Sequence, residues 1–524
     1  MSSHINGDGH GKTTLNRADE VDDLIDAVKS LIVPYIRDAD NAAPVRASGQ
    51  IAADAQGTTR NVLVDSHRPE ELVKRMTLSL PQDEGRGKDG LLETIQEILK
   101  YSVNTWDQGF LDKLYSSTNA VGVVSELLIS ALNTNVHVYQ TSPALTLIEK
   151  TTARTLASLF GFTGPRAGGV TCTGGSASNL TSLVIARNTL YPSTKTCGNA
   201  PHRFAVFTSA HGHYSVEKAA ATCGMGSAAV LSVAVDGSGQ MIPSALRSAI
   251  LKAKDEDGRT PLYVNATAGT TVLGSYDPFA ALADVCDEFG LWLHVDASWG
   301  GPAVFLSGQR HKLAGVERAH SLTVNPHKMM NVPITCSFLL TDDVAVFHRA
   351  NTLPAGYLFH ADADADERAD EGEEEKEREE SEYWDLADLT LQCGRRGDSL
   401  KLALAWIYYG AAGFGAQIDH AFAMAAHLAS LISASTNFTL VSANPPPCLQ
   451  VCFYYAPGGV LADSKEANTR NTREMVARLV GRGFMVDYAP GDKGSFFRVV
   501  VNCQTLMGTV DGLVKALGEV AGSS

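Results

Sequence analysis

"PLYVNATAGTTVLGSYDPFAALADVCDEFGLWLHVDAS", residues 261–298, decides how the chain is read. It opens on "PLYVNATAGT" and closes on "LWLHVDAS", short apolar runs rich in Val, Leu and Tyr that read as buried strands. Between them "DPFAALADVCDEFG" reads as a helix. Strand, helix, strand at this spacing implies βαβ units and a mainly parallel sheet, hence an α/β fold. "RFAVFTSA" (203–210) supplies a further strand of the same kind. In open α/β sheets, ligands bind beyond the carboxyl ends of the strands. That rule places Ser209 to His213, Thr267 to Thr271, Asp296 to Trp299 and then Lys328 in one candidate site.

Outward from this core, "LLETIQEILKYSVN" (91–104) and "SPALTLIEKTTARTLASLFGF" (142–162) read as helices. From about residue 403, helices are followed by the strand-like runs "CLQVCFYY" and "FFRVVVN", which reads as a smaller α+β domain. Residues 1–61 are polar and read as a mobile arm. One short amphipathic helix in "ADEVDDLIDAVKSLIVPYI" docks it, with Val21, Leu24, Ile25, Val28 and Leu31 at helical spacing. A helix within the main core is the competing reading. Residues 361–382, "ADADADERADEGEEEKEREESE", are like-charged with almost nothing apolar to bury. Such a run reads as a disordered loop, with an interaction segment or a regulatory lid as the functional alternative.

A chain of 524 residues can bury a large core in two or three domains. Its 44% hydrophobic and 19% charged residues fit a globular protein. The net charge is −15 and no basic stripe with interleaved aromatics appears, which argues against nucleic acid and against an anionic membrane surface. Nine cysteines are scattered without a CxxC pair, so neither a structural zinc site nor a disulfide scaffold is expected, and no metal is. A cytoplasmic location is the simplest reading of that cysteine usage and of an N-terminus without a signal-peptide pattern. No apolar run reaches the ~18 residues of a membrane span.

Two stretches carry the chemistry, and a third completes them. In "HSLTVNPHKMMNVPI" (320–334) a single lysine, Lys328, stands at the entrance to an apolar run. A buried ammonium is costly unless it is paired, neutralised or used covalently; a solvated surface lysine is the plain alternative. In "LWLHVDASWGG", Asp296 ends an apolar strand, either as a helix N-cap or as a buried carboxylate paired to a cation. In "TCTGGSASNL", Gly174 and Gly175 leave backbone N–H groups accessible, and Ser176, Ser178 and Asn179 can start a helix, an arrangement that binds phosphate. A lysine able to form a Schiff base, an acid for a pyridine nitrogen and a phosphate cradle are what pyridoxal phosphate requires.

These segments, with "YVNATAGTTVLGSYDP", "NPHKMMNVPITCS", "AGYLF" and "LQCGRRGD", resemble the group II pyridoxal-phosphate decarboxylases. Within that family they are similar to the animal-type glutamate, aspartate and cysteine-sulfinate decarboxylase branch. The resemblance runs from about residue 62 to the C-terminus and leaves out the arm and the acidic run. It implies the aminotransferase-like fold (fold type I), with a seven-stranded-type sheet in a large cofactor domain over 119–402. A helical dimerisation segment over 62–118 and a small α+β domain over 403–524 complete the chain. It also implies a homodimer with shared active sites.

Residue by residue, the resemblance makes Lys328 the Schiff-base lysine, Asp296 the partner of the ring nitrogen and His213 the group stacked on the ring. Ser176 and Ala177 are expected at the phosphate, with Ser178 less so. Asn325 and His327 seat the cofactor, and Thr270 or Thr271 lies near the ring. Ser298 replaces an alanine that packs on the ring in the family. Arg498 in "SFFRVVVN" matches the arginine that holds a substrate carboxylate. In "GFLDKLYSS", Lys113 stands where the glutamate branch has Gln, and Tyr115 stands where it has a small Ser. A larger side chain shortens the pocket, so L-aspartate giving β-alanine leads over glutamate to GABA and cysteine sulfinate to hypotaurine. In "SEYWDLADLTLQCG", Trp384 falls where the glutamate branch has its proton-donating Tyr, and Tyr383 is the candidate donor. If no hydroxyl serves, oxidative deamination to an aldehyde is the alternative outcome. An inactive cofactor-binding scaffold is the reading from another class.

Overall fold

The structure is a computed structural model that describes residues 15–51, 60–76, 78–353 and 383–522. The acidic run 361–382 and the "AGYLF" segment lie outside the described residues.

The large domain is built on seven strands: β2 (Gly168–Cys172), β3 (Phe204–Ser209), β4 (Val230–Val233), β5 (Thr260–Thr267), β6 (Trp292–Ala297), β7 (Ser321–Val324) and β8 (Ser337–Thr341). Their order is β2-β8-β7-β6-β5-β3-β4. From β7 to β4 the pairs are parallel, while β8 runs antiparallel to both β7 and β2. This is the mainly parallel seven-stranded sheet of the expected α/β class. Every residue of β3, β6 and β7 is buried, as expected of strands covered on both faces. The helix Phe279–Phe289 buries Phe279, Leu282, Ala283, Val285 and Cys286 on one stripe, then stops at Gly290. Gly290 has φ 65°, the left-handed cap that favours glycine, and the chain turns directly into β6.

The small domain holds a five-stranded sheet in the order β1-β11-β12-β10-β9. Four strands come from the C-terminal part: β9 (Phe438–Leu440), β10 (Gln450–Tyr455), β11 (Met485–Ala489) and β12 (Phe496–Val500). The fifth, β1 (Phe110–Leu111), lies parallel to β11. The segment 62–118 is therefore not wholly helical, because it lends a strand to the C-terminal sheet. The expected boundary near 403 falls inside the helix Ser399–Ala434, which is broken at Gly410 (φ 68°, ψ 169°).

The N-terminal helix is longer than its amphipathic signature. It runs Arg17–Arg46 with Pro34 and Pro44 inside it, and it packs on the helices Gly87–Tyr101 and Met507–Gly522. It continues well beyond the quoted amphipathic piece because tertiary packing carries it. At its end Arg46 donates from Nε and Nη2 to Asp107 at 2.9 and 2.8 Å, and both side chains are wholly buried. Gly483 is required beside it, since a Cβ there would stand 2.0 Å from Arg46 Nη1.

Breaking one side of a buried ion pair costs more than the pair contributes, because the other charge is left alone. Arg46→Met should cost about 3–5 kcal/mol, read as a fall in the urea midpoint. Adding Asp107→Leu should recover much of that loss, and a double variant as unstable as the single one would contradict this account.

Candidate active site

The carboxyl ends of β5, β6 and β7 open on a cavity of about 270 Å3. Lys328 stands in it four residues beyond β7, with Asp296 from the end of β6 and His213 from the loop after β3. Asn325, His327, Ser298 and Ser176 line it too. The strand register puts Asp296 between Thr267 of β5 and Thr323 of β7. Segments far apart in the chain thus converge because parallel strands end at one edge.

Asp296 is held rather than merely buried. Its Oδ2 accepts from Asn179 Nδ2 at 2.9 Å, and its Oδ1 accepts from the Ser298 N–H at 3.1 Å. Behind Asn179, His294 is wholly buried and lies 3.1 Å from Asn179 Oδ1. Burial by itself would raise the Asp296 pKa. The Lys328 charge, the hydrogen bonds from Ser298 and Asn179, and His213 together outweigh it and hold the carboxyl below its ordinary value. Burial lowers the Lys328 pKa, with Asp296 opposing. Burial likewise lowers that of His213, and Lys328 adds to the effect. The site is therefore a charged carboxylate beside an amine that gives up its proton more easily than a free lysine.

One end of the cavity is shaped for an anion. The helix Gly175–Leu190 starts there, directly after β2. A Cβ on Gly175 would stand 2.7 Å from both Ser298 Oγ and Asn325 Nδ2, so only glycine leaves the space open. Asn325 is 1% exposed, and its Oδ1 has no hydrogen-bond partner among the described residues. The Asn325 Nδ2 beside Gly175 and the N–H groups at the start of the helix are donors, which is what a phosphate group requires. The opposite features, Lys328, Asp296 and His213, fit the aldehyde, ring nitrogen and ring face of pyridoxal phosphate. Among the described residues no cluster of His, Cys, Asp or Glu is arranged to hold a metal ion.

Several expected residues stand elsewhere. Thr270 does not line the cavity: its hydroxyl accepts from the Ser275 N–H at 3.0 Å, and Thr271 lines the cavity instead. Ala177 uses its N–H on the Gly174 carbonyl, and Ser178 turns its hydroxyl to Ser337 Oγ at 2.8 Å. Arg498 lies one layer out, donating from Nη1 to the Thr271 carbonyl at 3.1 Å. Lys113 pairs with Asp487 at 2.8 Å, and Tyr115 lies against Phe110 with ring centroids 5.7 Å apart. Tyr383 is not brought to Lys328 within this subunit. It stacks on His348 at 4.3 Å, beside a separate cavity that Trp384 and Lys150 share. Asn179, expected at the phosphate cradle, serves Asp296 instead, and His294 behind it carries no local signal, since nothing local distinguishes an imidazole that supports such an amide from one that packs a core.

His294 and His327 are both neutral at pH 7, because burial brings each pKa down to about 4. Below pH 6.5 the unfolded chain takes up protons that the folded one refuses. This part of the stability is complete above pH 6.5 and drains away as the pH falls toward 4, by up to ~3 kcal/mol per imidazole. Urea midpoints measured from pH 7 to pH 4.5 should fall steeply, and His294→Asn should flatten the slope.

The comparisons with known proteins agree with this geometry. The pyridoxal-dependent decarboxylase conserved domain matches residues 69–456. The L-aspartate decarboxylase dtxS4 of Metarhizium robertsii is 59% identical over 509 residues, covering 97% of this chain and 98% of that protein. The glutamate decarboxylase-like protein FG08083 of Gibberella zeae is 38% identical over 491 residues, covering 90% of this chain and 94% of its own. The crystal structure of mouse CSAD superposes with a TM-score of 0.82 at 32% identity, over 96% of this chain and 98% of that one. That of Oryza sativa TDC with PLP and tryptamine gives 0.82 at 25% identity, over 98% and 99%. With matches of this extent and a cavity that fits the cofactor, the chain belongs to the pyridoxal-dependent decarboxylase family as a pyridoxal-phosphate-dependent amino-acid decarboxylase.

Proposed function

We propose that this enzyme removes the α-carboxylate of L-aspartate, giving β-alanine and CO2. The observation that carries the substrate is the 59% identity to an L-aspartate decarboxylase across nearly the whole of both chains. The buried cation Arg498, 7% exposed and adjoining Thr271 at the cavity wall, supports an acidic side chain.

Bound pyridoxal phosphate supplies an electron-withdrawing ring that stabilises the electron pair left when CO2 departs. The chain's own residues prepare and hold that chemistry. Ser176 and Asn325 hold the phosphate, His213 lies on the ring face, and Asp296 keeps a negative charge at the ring nitrogen. Asn179, Ser298 and His294 keep Asp296 in place. Lys328, whose pKa burial lowers while Asp296 opposes, gives up its proton more readily than a free lysine and takes up and returns protons at Nζ.

The enzyme acts as a homodimer whose partner borders the cavity. The helix Ala120–Leu132 exposes Val123, Val124, Leu127, Leu128 and Leu132. The helix against which it packs exposes Ile407 and Tyr408, which are 82% and 73% accessible. Six residues after Lys328, Ile334 is exposed as well. An apolar surface of this kind calls for a partner. Tyr383 reaches Cα from the neighbouring subunit and returns the proton there.

Purified, cofactor-loaded enzyme offered aspartate, glutamate and cysteine sulfinate side by side should make β-alanine as its main amine without peroxide. GABA as the main product would overturn the substrate reading, and peroxide with aldehyde would overturn simple decarboxylation. A folded Lys328→Ala protein should lose more than about a thousandfold in kcat/KM. Sharing of sites is tested by mixing: Lys328→Ala and Tyr383→Phe subunits, each inactive alone, should regain about one quarter of wild-type activity when re-associated. No regain would place the proton donor within one subunit.

A further inference from the structure

The two cations that the sequence offered for a substrate acid share one anion. Lys113 Nζ lies 2.8 Å from Asp487 Oδ2, and Arg498 Nη2 donates to the same oxygen at 2.6 Å. The arrangement is built into the sheet, because Asp487 of β11 stands directly opposite Arg498 of β12. Arg498 is tied down further, by Nη2 to the Asp112 carbonyl at 3.2 Å and by Nη1 to the Thr271 carbonyl at 3.1 Å. Its Nε is buried and without a partner among the described residues. The guanidinium thus has its Nε–H unmatched, Nη1 turned to Thr271 at a wall of the Lys328 cavity, and Nη2 already taken by two acceptors.

The bulk of Tyr115 does not set the reach of this pocket. Tyr115 is 37% exposed, rests on Phe110 and does not line the cavity. Charge is a discriminator that the sheet itself supplies. An isosteric pocket distinguishes one methylene weakly, whereas a fixed like charge at the far end rejects the longer acid actively.

We propose that Asp487 is a specificity-determining residue: a resident carboxylate that occupies Lys113 and Arg498 and excludes the distal carboxylate of a substrate one methylene longer than aspartate. The inference rests on the acidic-substrate reading above. A short diacid needs only the Nη1 side of Arg498, which adjoins the cavity wall at Thr271. A longer one arrives where Asp487 already sits, and two carboxylates then compete for the same two cations. In the substrate-free enzyme Asp487 also keeps the buried guanidinium from standing unpaired, which explains why the restriction is tolerated.

The test uses the intact, cofactor-loaded enzyme and two readouts. The first is kcat/KM for aspartate against glutamate. The second is binding of succinate against glutarate, followed by thermal shift, which needs no turnover. Asp487→Asn keeps the shape and removes the charge, and it should lower both the aspartate preference and the succinate preference by about tenfold or more. Unchanged preferences in a folded Asp487→Asn protein would overturn the proposal, as would an equal loss of affinity for both acids. If that variant does not fold, Lys113→Gln decides. Lys113 is half exposed, and removing it leaves Asp487 less neutralised, so the succinate preference should widen; an unchanged or narrower preference overturns the proposal. Wild-type enzyme that turns over neither acid while Asp487→Asn still shifts succinate against glutarate would sink the aspartate reading and leave the role of Asp487 standing.

Discussion

A carboxylate kept charged inside the protein is the constraint on which the rest of this site depends. Asp296 is nearly inaccessible, and such a group ordinarily takes up a proton. Here the amide of Asn179, the N–H of Ser298 and the neighbouring Lys328 outweigh burial. Each of those helpers must in turn be fixed. Asn179 is oriented by His294 and by Ser215, whose Oγ accepts its other N–H at 3.0 Å. His294 is buried on β6, two residues before the carboxylate it indirectly serves. The helix after β2, the middle of β6 and the loop after β7 are thus bound to one another through a single charge. A parallel sheet suits that requirement, since consecutive strands deliver their exits to the same edge.

Elsewhere buried charge marks seams between distant stretches of chain. Arg46 and Asp107 join the N-terminal helix to the segment that enters β1. Arg395 pairs with Glu149, and the same Glu149 accepts from the N–H and hydroxyl of Thr171 on the edge strand β2. Such pairs contribute little net stability against an apolar substitute, yet each is intolerant of a wrong neighbour. Their placement at joints rather than in the middle of the core is consistent with a role in choosing one arrangement.

The legible part of the molecule is the part whose signals are local. Strands β3, β5 and β6 stand out because a strand covered on both faces is a near-continuous apolar run. Lys328, Asp296 and His213 stand out because each follows such a run and because their motifs match a family. What is not legible depends on partners remote in sequence. A two-residue strand such as β1 has no periodicity to detect, and its existence is decided by β11. The helix Arg17–Arg46 continues past Pro34 because helices at both ends of the described chain receive it. The choice between Thr270 and Thr271 turns on which hydroxyl Ser275 claims. Asp487 is an ordinary acid in "FMVDYAP" until β12 sets Arg498 across from it.

The closure of the small domain by the N-terminal segment also governs when this protein can be complete. Strand β1 waits for β11, and the helix Arg17–Arg46, which meets Gly87–Tyr101 early, completes its packing only with Met507–Gly522. At about 5–20 residues per second on the ribosome, the early segment stands incompletely partnered for on the order of half a minute. During that interval it carries an apolar-striped helix and an unpaired strand, while the seven-stranded sheet lies in sequence entirely between the two parts of the small domain. The small domain is therefore closed by two stretches that lie on either side of the seven-stranded sheet in the sequence and meet as a clasp.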